Sequence, residues 1–115
     1  MKSCPRHNLT LERRDGIYGE FWACPLRPKC DVIGDWCQHD GKFRLSDQPT
    51  RDARKMAHAA FDRIWKGGYM TRSQAYKSLG SALGLSKKEC HIKHFDAETC
   101  RRVIRWARKQ MEAVR

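Results

Sequence analysis

No run of apolar residues in this 115-residue chain approaches the roughly 20 that a membrane-spanning helix requires, so no membrane partner is expected. No signal peptide is read ahead of Cys4, which points to a reducing cytoplasm. Acidic residues are in short supply, 13 Asp and Glu against 24 Lys and Arg, for a net charge of +11. Those acids are scattered among bases, so no carboxylate pair for metal-dependent nuclease work stands out. Cysteine and histidine abound, yet nothing orders them into nucleophile, base and orienting group. The ββα metal loop of an HNH-like nuclease is missing as well. The expectation is a non-catalytic protein.

What the chain does have is concentrated at its amino end. Cys4-Pro-Arg-His7 is followed after sixteen residues by Cys24-Pro-Leu-Arg-Pro-Lys-Cys30. Zn²⁺ takes four ligands in a tetrahedron, and two short Cys/His knuckles at facing hairpin ends supply two each. The second knuckle has five intervening residues, a long spacing that Pro25 and Pro28 would stiffen. Cys4, His7, Cys24 and Cys30 are therefore expected to hold one structural zinc. The six cysteines could instead suggest a disulfide scaffold, but the pairing with His7 favours metal. A ribbon of this size buries too little apolar surface to fold unaided, so the ion would supply much of its stability.

Between the knuckles, Leu9-Thr10-Leu11, the Asp15-Gly16 turn signal and Ile17-Tyr18-Gly19-Glu20-Phe21-Trp22 read as a β-hairpin. Cys-Pro-x-His, then Tyr18 to Cys24, then Pro28-Lys29-Cys30, resembles the C-terminal zinc ribbons of type IA DNA topoisomerases. Those ribbons usually carry Cys where this chain has His7, an exchange that Zn²⁺ tolerates. The resemblance implies a single-stranded-DNA-binding type of module without topoisomerase chemistry. Asp31 to Gly34 suggests a third short strand, and Asp35 to Gly41 a turn-rich connector. Cys37 and His39 lie near enough in sequence to compete for the zinc, though a buried cysteine and a surface histidine are the favoured reading.

Charge is distributed unevenly. Residues 1–47 hold 8 Lys and Arg against 7 Asp and Glu, while residues 48–115 hold 16 against 6, a net of +10. The expected organisation is a zinc ribbon and connector over 1–47 and a basic helical domain over 48–115. The first helix is expected to start near Thr50, with Ala53, Met56, Ala57, Ala60, Phe61, Ile64 and Trp65 as its buried stripe and Gly67-Gly68 as its stop. His58 and Asp62 are placed to pair across a turn. Thr71 to Gln74 is a capping box opening a second helix, with Ala75, Tyr76, Leu79, Ala82 and Leu83 inward and Gly84 as its end. A second box, Ser86 to Glu89, starts a short turn. Asp96 caps the last helix, 97–113, whose inner face is Cys100, Val103, Ile104, Ala107 and Met111. Its outer face carries Arg101, Arg102, Arg105, Arg108 and Lys109, with Trp106 set among them. The fold class is thus α+β: a small ribbon of two to three strands followed by three to four helices.

The order Met56 to Trp65, then Met70, Arg72, Ala75 and Tyr76, then Cys90-His91-Ile92, Phe95-Asp96 and Cys100, resembles a family of small bacterial and phage zinc-finger-containing proteins. This resemblance spans nearly the whole chain and implies a phage or bacterial protein working in the host cytoplasm. Cys90, His91, His94 and Cys100 invite a second metal site, but cysteines packed as small hydrophobes are favoured. Two functions are carried forward. One is nucleic-acid binding, DNA in particular, through Arg13, Arg14, Tyr18, Phe21 and Trp22 of the hairpin and Arg101, Arg102, Arg105, Trp106, Arg108 and Lys109 of the last helix. The other is a phage protein-interaction module docking on, or inhibiting, a host nucleic-acid-handling protein.

Overall fold

A computed structural model describes residues 2–17, 19–36 and 41–113. The chain divides into two compact units, Met1–Gln48 and Pro49–Arg115.

The first unit is an antiparallel sheet of four strands in sequential order: β1 (Glu12–Gly16), β2 (Gly19–Ala23), β3 (Ile33–Trp36) and β4 (Phe43–Ser46). The α+β class holds, but the ribbon has one strand more than its sequence suggested. Phe43-Arg44-Leu45-Ser46 is too short to read alone, and becomes a strand by pairing with β3, Trp36 opposite Phe43 and Ile33 opposite Ser46. Alternation then places Trp22, Gly34, Trp36, Phe43 and Leu45 on one face. Gly34 is needed there: a Cβ would meet Phe43 Cε1 at 2.7 Å, so the ring lies directly over the bare backbone.

The second unit packs three helices, α1 (Gln48–Lys66), α2 (Arg72–Leu83) and α3 (Ala97–Ala113), with a 3₁₀ turn at Ile92–His94. Helix α1 begins at Gln48 rather than beside Thr50, with Pro49 in the first turn, where its missing N–H costs nothing. It ends as expected at Gly67-Gly68, where Tyr69 N–H bonds the Ile64 carbonyl at 3.0 Å. Thr71 and Gln74 form both bonds of a capping box on α2, and Gly84, at φ 70°, closes it in the left-handed conformation that glycine adopts without penalty. Ser86 and Glu89 make the reciprocal bonds of the second box, and the segment is a short turn as expected.

Phe61 and Ile64 from α1, Leu79 from α2, Ile92, and Cys100 and Val103 from α3 are fully enclosed at the centre of this core. Trp106 corrects the sequence reading. It points inward, only 6% exposed, with its ring 6.0 Å from that of Phe61. Met56 is corrected the other way, 63% exposed, and Ala82 is exposed too. Asp62 accepts from Trp65 Nε1 (3.0 Å) and pairs with Lys66 (3.7 Å) in place of His58.

Asp96 caps α3 as expected, accepting from Thr99 N–H at 2.7 Å. That bond holds its carboxyl below the usual carboxylate range. A carboxyl depressed in the folded state stabilises above its unfolded pKa, and the benefit disappears as pH falls through the folded one. Asp96→Ala is expected to cost about 1 kcal/mol at neutral pH by thermal or denaturant unfolding. The gap from wild type should narrow as acid protonates the cap.

Candidate metal centre

Each knuckle is shaped by its own backbone. In the first, Asn8 N–H returns to the Cys4 carbonyl and Cys4 N–H reaches the Leu9 carbonyl, both at 2.8 Å. Asn8 takes φ 53°, a conformation that asparagine tolerates better than most residues. In the second, Arg27 N–H bonds the Cys24 carbonyl and Lys29 N–H the Leu26 carbonyl, both at 2.9 Å, and the Arg27–Pro28 peptide is cis. These turns aim Cys4, Cys24 and Cys30 inward, where all three are buried, and leave His7 exposed at the rim.

The ligand atoms of Cys4, His7, Cys24 and Cys30 all lie within 4.8 Å of one another. Cys4 Sγ is 3.7 Å from Cys30 Sγ, and His7 Nδ1 is 3.6 Å from both Cys4 Sγ and Cys24 Sγ. A tetrahedron with Zn–S about 2.3 Å and Zn–N about 2.0–2.1 Å has S···S edges of about 3.8 Å and S···N edges of about 3.6 Å. The three measured spacings match those edges and are far too long for a disulfide. The donor set fits Zn²⁺: three thiols and one imidazole, presented through Nδ1. Bound there, zinc would clamp the two knuckles together, and four protein ligands would leave no open position for a substrate.

The thiols differ in acidity. Burial opposes ionisation of Cys4, but N–H groups of Arg6 and His7, the His7 ring and Cys30 outweigh it and bring its pKa down to about 6. Burial, with the neighbouring thiols, pushes Cys24 up. Around the site, Arg6 forms ion pairs with Asp31 and, at 3.0 Å, with Asp47. Asp31 Oδ2 also accepts from Gln48 N–H at 3.0 Å. Asp31, the residue after the last ligand, is thereby tied to Arg6, the residue just before His7.

Among the described residues no second group of this kind forms. Cys90 and Cys100 are buried in the helical core, each with its Sγ 4.0 Å from a backbone carbonyl, and burial raises both thiols. His91 and His94 sit ring to ring at 5.6 Å. Cys37 and His39 lie outside the described residues.

The expected nucleic-acid contacts are placed unequally. Arg13 pairs with Glu20 (2.7 Å) and Arg14 with Glu12 (3.5 Å). Trp22 is half-buried against the metal-side core, Phe21 is half-buried, and Tyr18 lies outside the described residues. Trp106 is buried. Arg101, Arg102, Arg105, Arg108 and Lys109 are all exposed on α3. Glu98 pairs with Arg101 (2.8 Å) and Arg105 (3.7 Å). Arg102, Arg108 and Lys109 make no ion pair among the described residues.

The sequence reading missed an exposed aromatic on the ribbon. Trp36 is 56% exposed and meets Phe43 edge-on at 5.2 Å, with Lys2 Nζ 5.8 Å from the first ring and 5.3 Å from the second. The alternation Gly34-Asp35-Trp36 on β3 was the available signal, masked by assigning Trp36 to a connector.

A family model for a zinc-finger-containing domain matches residues 7–110. The chain belongs to that family. The match takes in His7, Cys24 and Cys30 of this zinc-finger-containing domain, and the geometry adds Cys4 as the fourth donor. No curated protein and no solved structure matches the chain. The likeness to topoisomerase ribbons stays a resemblance of sequence.

Proposed function

We propose that this zinc-finger-containing domain is a non-catalytic nucleic-acid-binding protein, with DNA as its target. The observation that carries the reading is the exposed basic face of α3, where among the described residues Glu98 alone forms ion pairs with the five cations. Such a face is more than solubility demands, and releasing counterions from phosphates is the main driving force for binding of this kind. On the ribbon, exposed Trp36 joins the hairpin aromatics as a stacking residue, with Lys2 supplying adjacent positive charge. Zinc has a structural part only. No helix of the described residues is long and apolar enough to cross a membrane.

Fluorescence anisotropy with labelled single- and double-stranded oligonucleotides tests this. Three to five phosphate contacts predict duplex affinity falling roughly 40- to 500-fold between 50 and 200 mM salt. Replacing Arg102 and Lys109 by Ala should flatten the log–log slope by about 2. Trp36→Ala should weaken single-strand binding by about 1–3 kcal/mol. Absence of binding at 50 mM salt, or a slope indifferent to the double replacement, would refute the reading.

A further inference from the structure

A groove of about 270 Å³ opens between α1 and α3, and its chemistry differs from the basic face beside it. Met56, Ala59, Ala60, Ile104, Ala107 and Met111 line it, with Arg63 on one helix and Arg108 on the other. Among the described residues of the helical unit Met56 is the most exposed large apolar one, and Ile104 and Met111 are only half-buried. Neither Arg63 nor Arg108 has an ion pair among the described residues. The cleft is apolar at its base and carries an uncompensated guanidinium on each helix.

We infer that this groove docks an acidic amphipathic helix from a protein partner. The alanines let a helix approach closely, at the short end of the 8–10 Å interaxial range. Methionines at both ends are unbranched and adapt to whatever apolar side chains arrive. An incoming helix that seats apolar residues at i, i+3 or i+4 and i+7 would place flanking residues near Arg63 and Arg108, where carboxylates answer the charge. A second copy of this chain is a poor occupant, since residues 48–115 carry a net +10 and would repel each other. Phosphates would gain nothing from thioethers and methyl groups. The volume sits just below the roughly 300–1,000 Å³ of small-molecule sites.

Arg108 is shared with the basic face, whereas Met56, Met111 and Arg63 are not, and the experiment keeps the two readings apart through those three. The probe is a synthetic peptide of about 18 residues, long enough to hold a helix, with a leucine stripe flanked by glutamates. Methionine ¹³C-methyl NMR on the full chain is the readout. Saturable shifts at Met56 and Met111, with Met70 unmoved, are expected. A lysine-flanked peptide should bind at least about tenfold more weakly, and Arg63→Glu should weaken the glutamate peptide about fivefold. Met56→Gln should weaken the peptide and leave oligonucleotide affinity unchanged. The inference fails if no saturable shift occurs, or if a scrambled peptide of equal composition binds as well. It fails equally if duplex DNA or phosphatidylglycerol vesicles move the same methyls in place of the peptide, or if Met56→Gln costs oligonucleotide affinity.

Discussion

Removing zinc with an excess of a high-affinity chelator is expected to collapse the ribbon and leave the helices folded. Backbone amide NMR should lose the dispersed peaks of residues 2–17, 19–36 and 41–47 while those of 50–113 persist. The ribbon's cluster of buried side chains is Cys4, Leu11, Cys24, Cys30 and Val32, and three of those five are the candidate ligands. Without an ion the remaining core is Leu11 and Val32, with Trp22 and Phe43 packed on its edge. Structural zinc contributes an apparent ~10–16 kcal/mol in comparable small modules at neutral pH, far beyond what two aliphatic side chains replace. Cys24→Ser should reproduce the collapse with zinc present. His7→Ala should weaken the ribbon less, because it removes the exposed ligand and leaves the buried thiols in place.

Trp106→Ala should destabilise the helical unit by about 3–5 kcal/mol, seen as a large fall in its Tm. Small domains have only about 5–15 kcal/mol in total, so the variant should be close to unfolding near 37 °C. The cause is packing: the indole lies against Phe61, which also meets Tyr76 at 4.5 Å, so its loss opens a cavity at the junction of all three helices. Trp106→Phe should cost less. It keeps an aromatic ring and removes Nε1, a buried donor without a partner among the described residues. Neither change should alter zinc content. A surface contact at Trp106 would instead give binding loss with little change in Tm.

Local rules served the sequence reading well wherever the cause of structure was itself local. The Thr71 capping box, the Asp96 cap and the bounds of α3 follow from side chains bonding backbone three residues away. The four metal donors were legible for the same reason, since ligand type and knuckle spacing leave few other uses for such a cluster. What could not be read depended on partners distant in sequence. Strand β4 exists because β3 pairs with it, and Asp31, seventeen residues earlier, holds the first amide of α1.

Helix faces failed in a more instructive way. On α3 the buried residues are Cys100, Val103, Trp106 and Ala107, so the inward stripe is rotated toward Trp106 and away from Ile104. Arg105 and Arg108 on either side of the tryptophan made it read as part of the basic face. On α1 the buried set is Ala57, Phe61 and Ile64, which leaves Met56 on the flank. Both discrepancies point to one place. Ile104 and Met56 look like core residues by spacing, and together they line the groove between α1 and α3.

The central claim is that Cys4, His7, Cys24 and Cys30 hold zinc, and X-ray absorption at the zinc edge on the purified full chain tests it most directly. The prediction is one zinc per chain with three sulfurs at about 2.3 Å and one nitrogen at about 2.0–2.1 Å. A protein without zinc, or a four-sulfur shell that excludes His7, would contradict it.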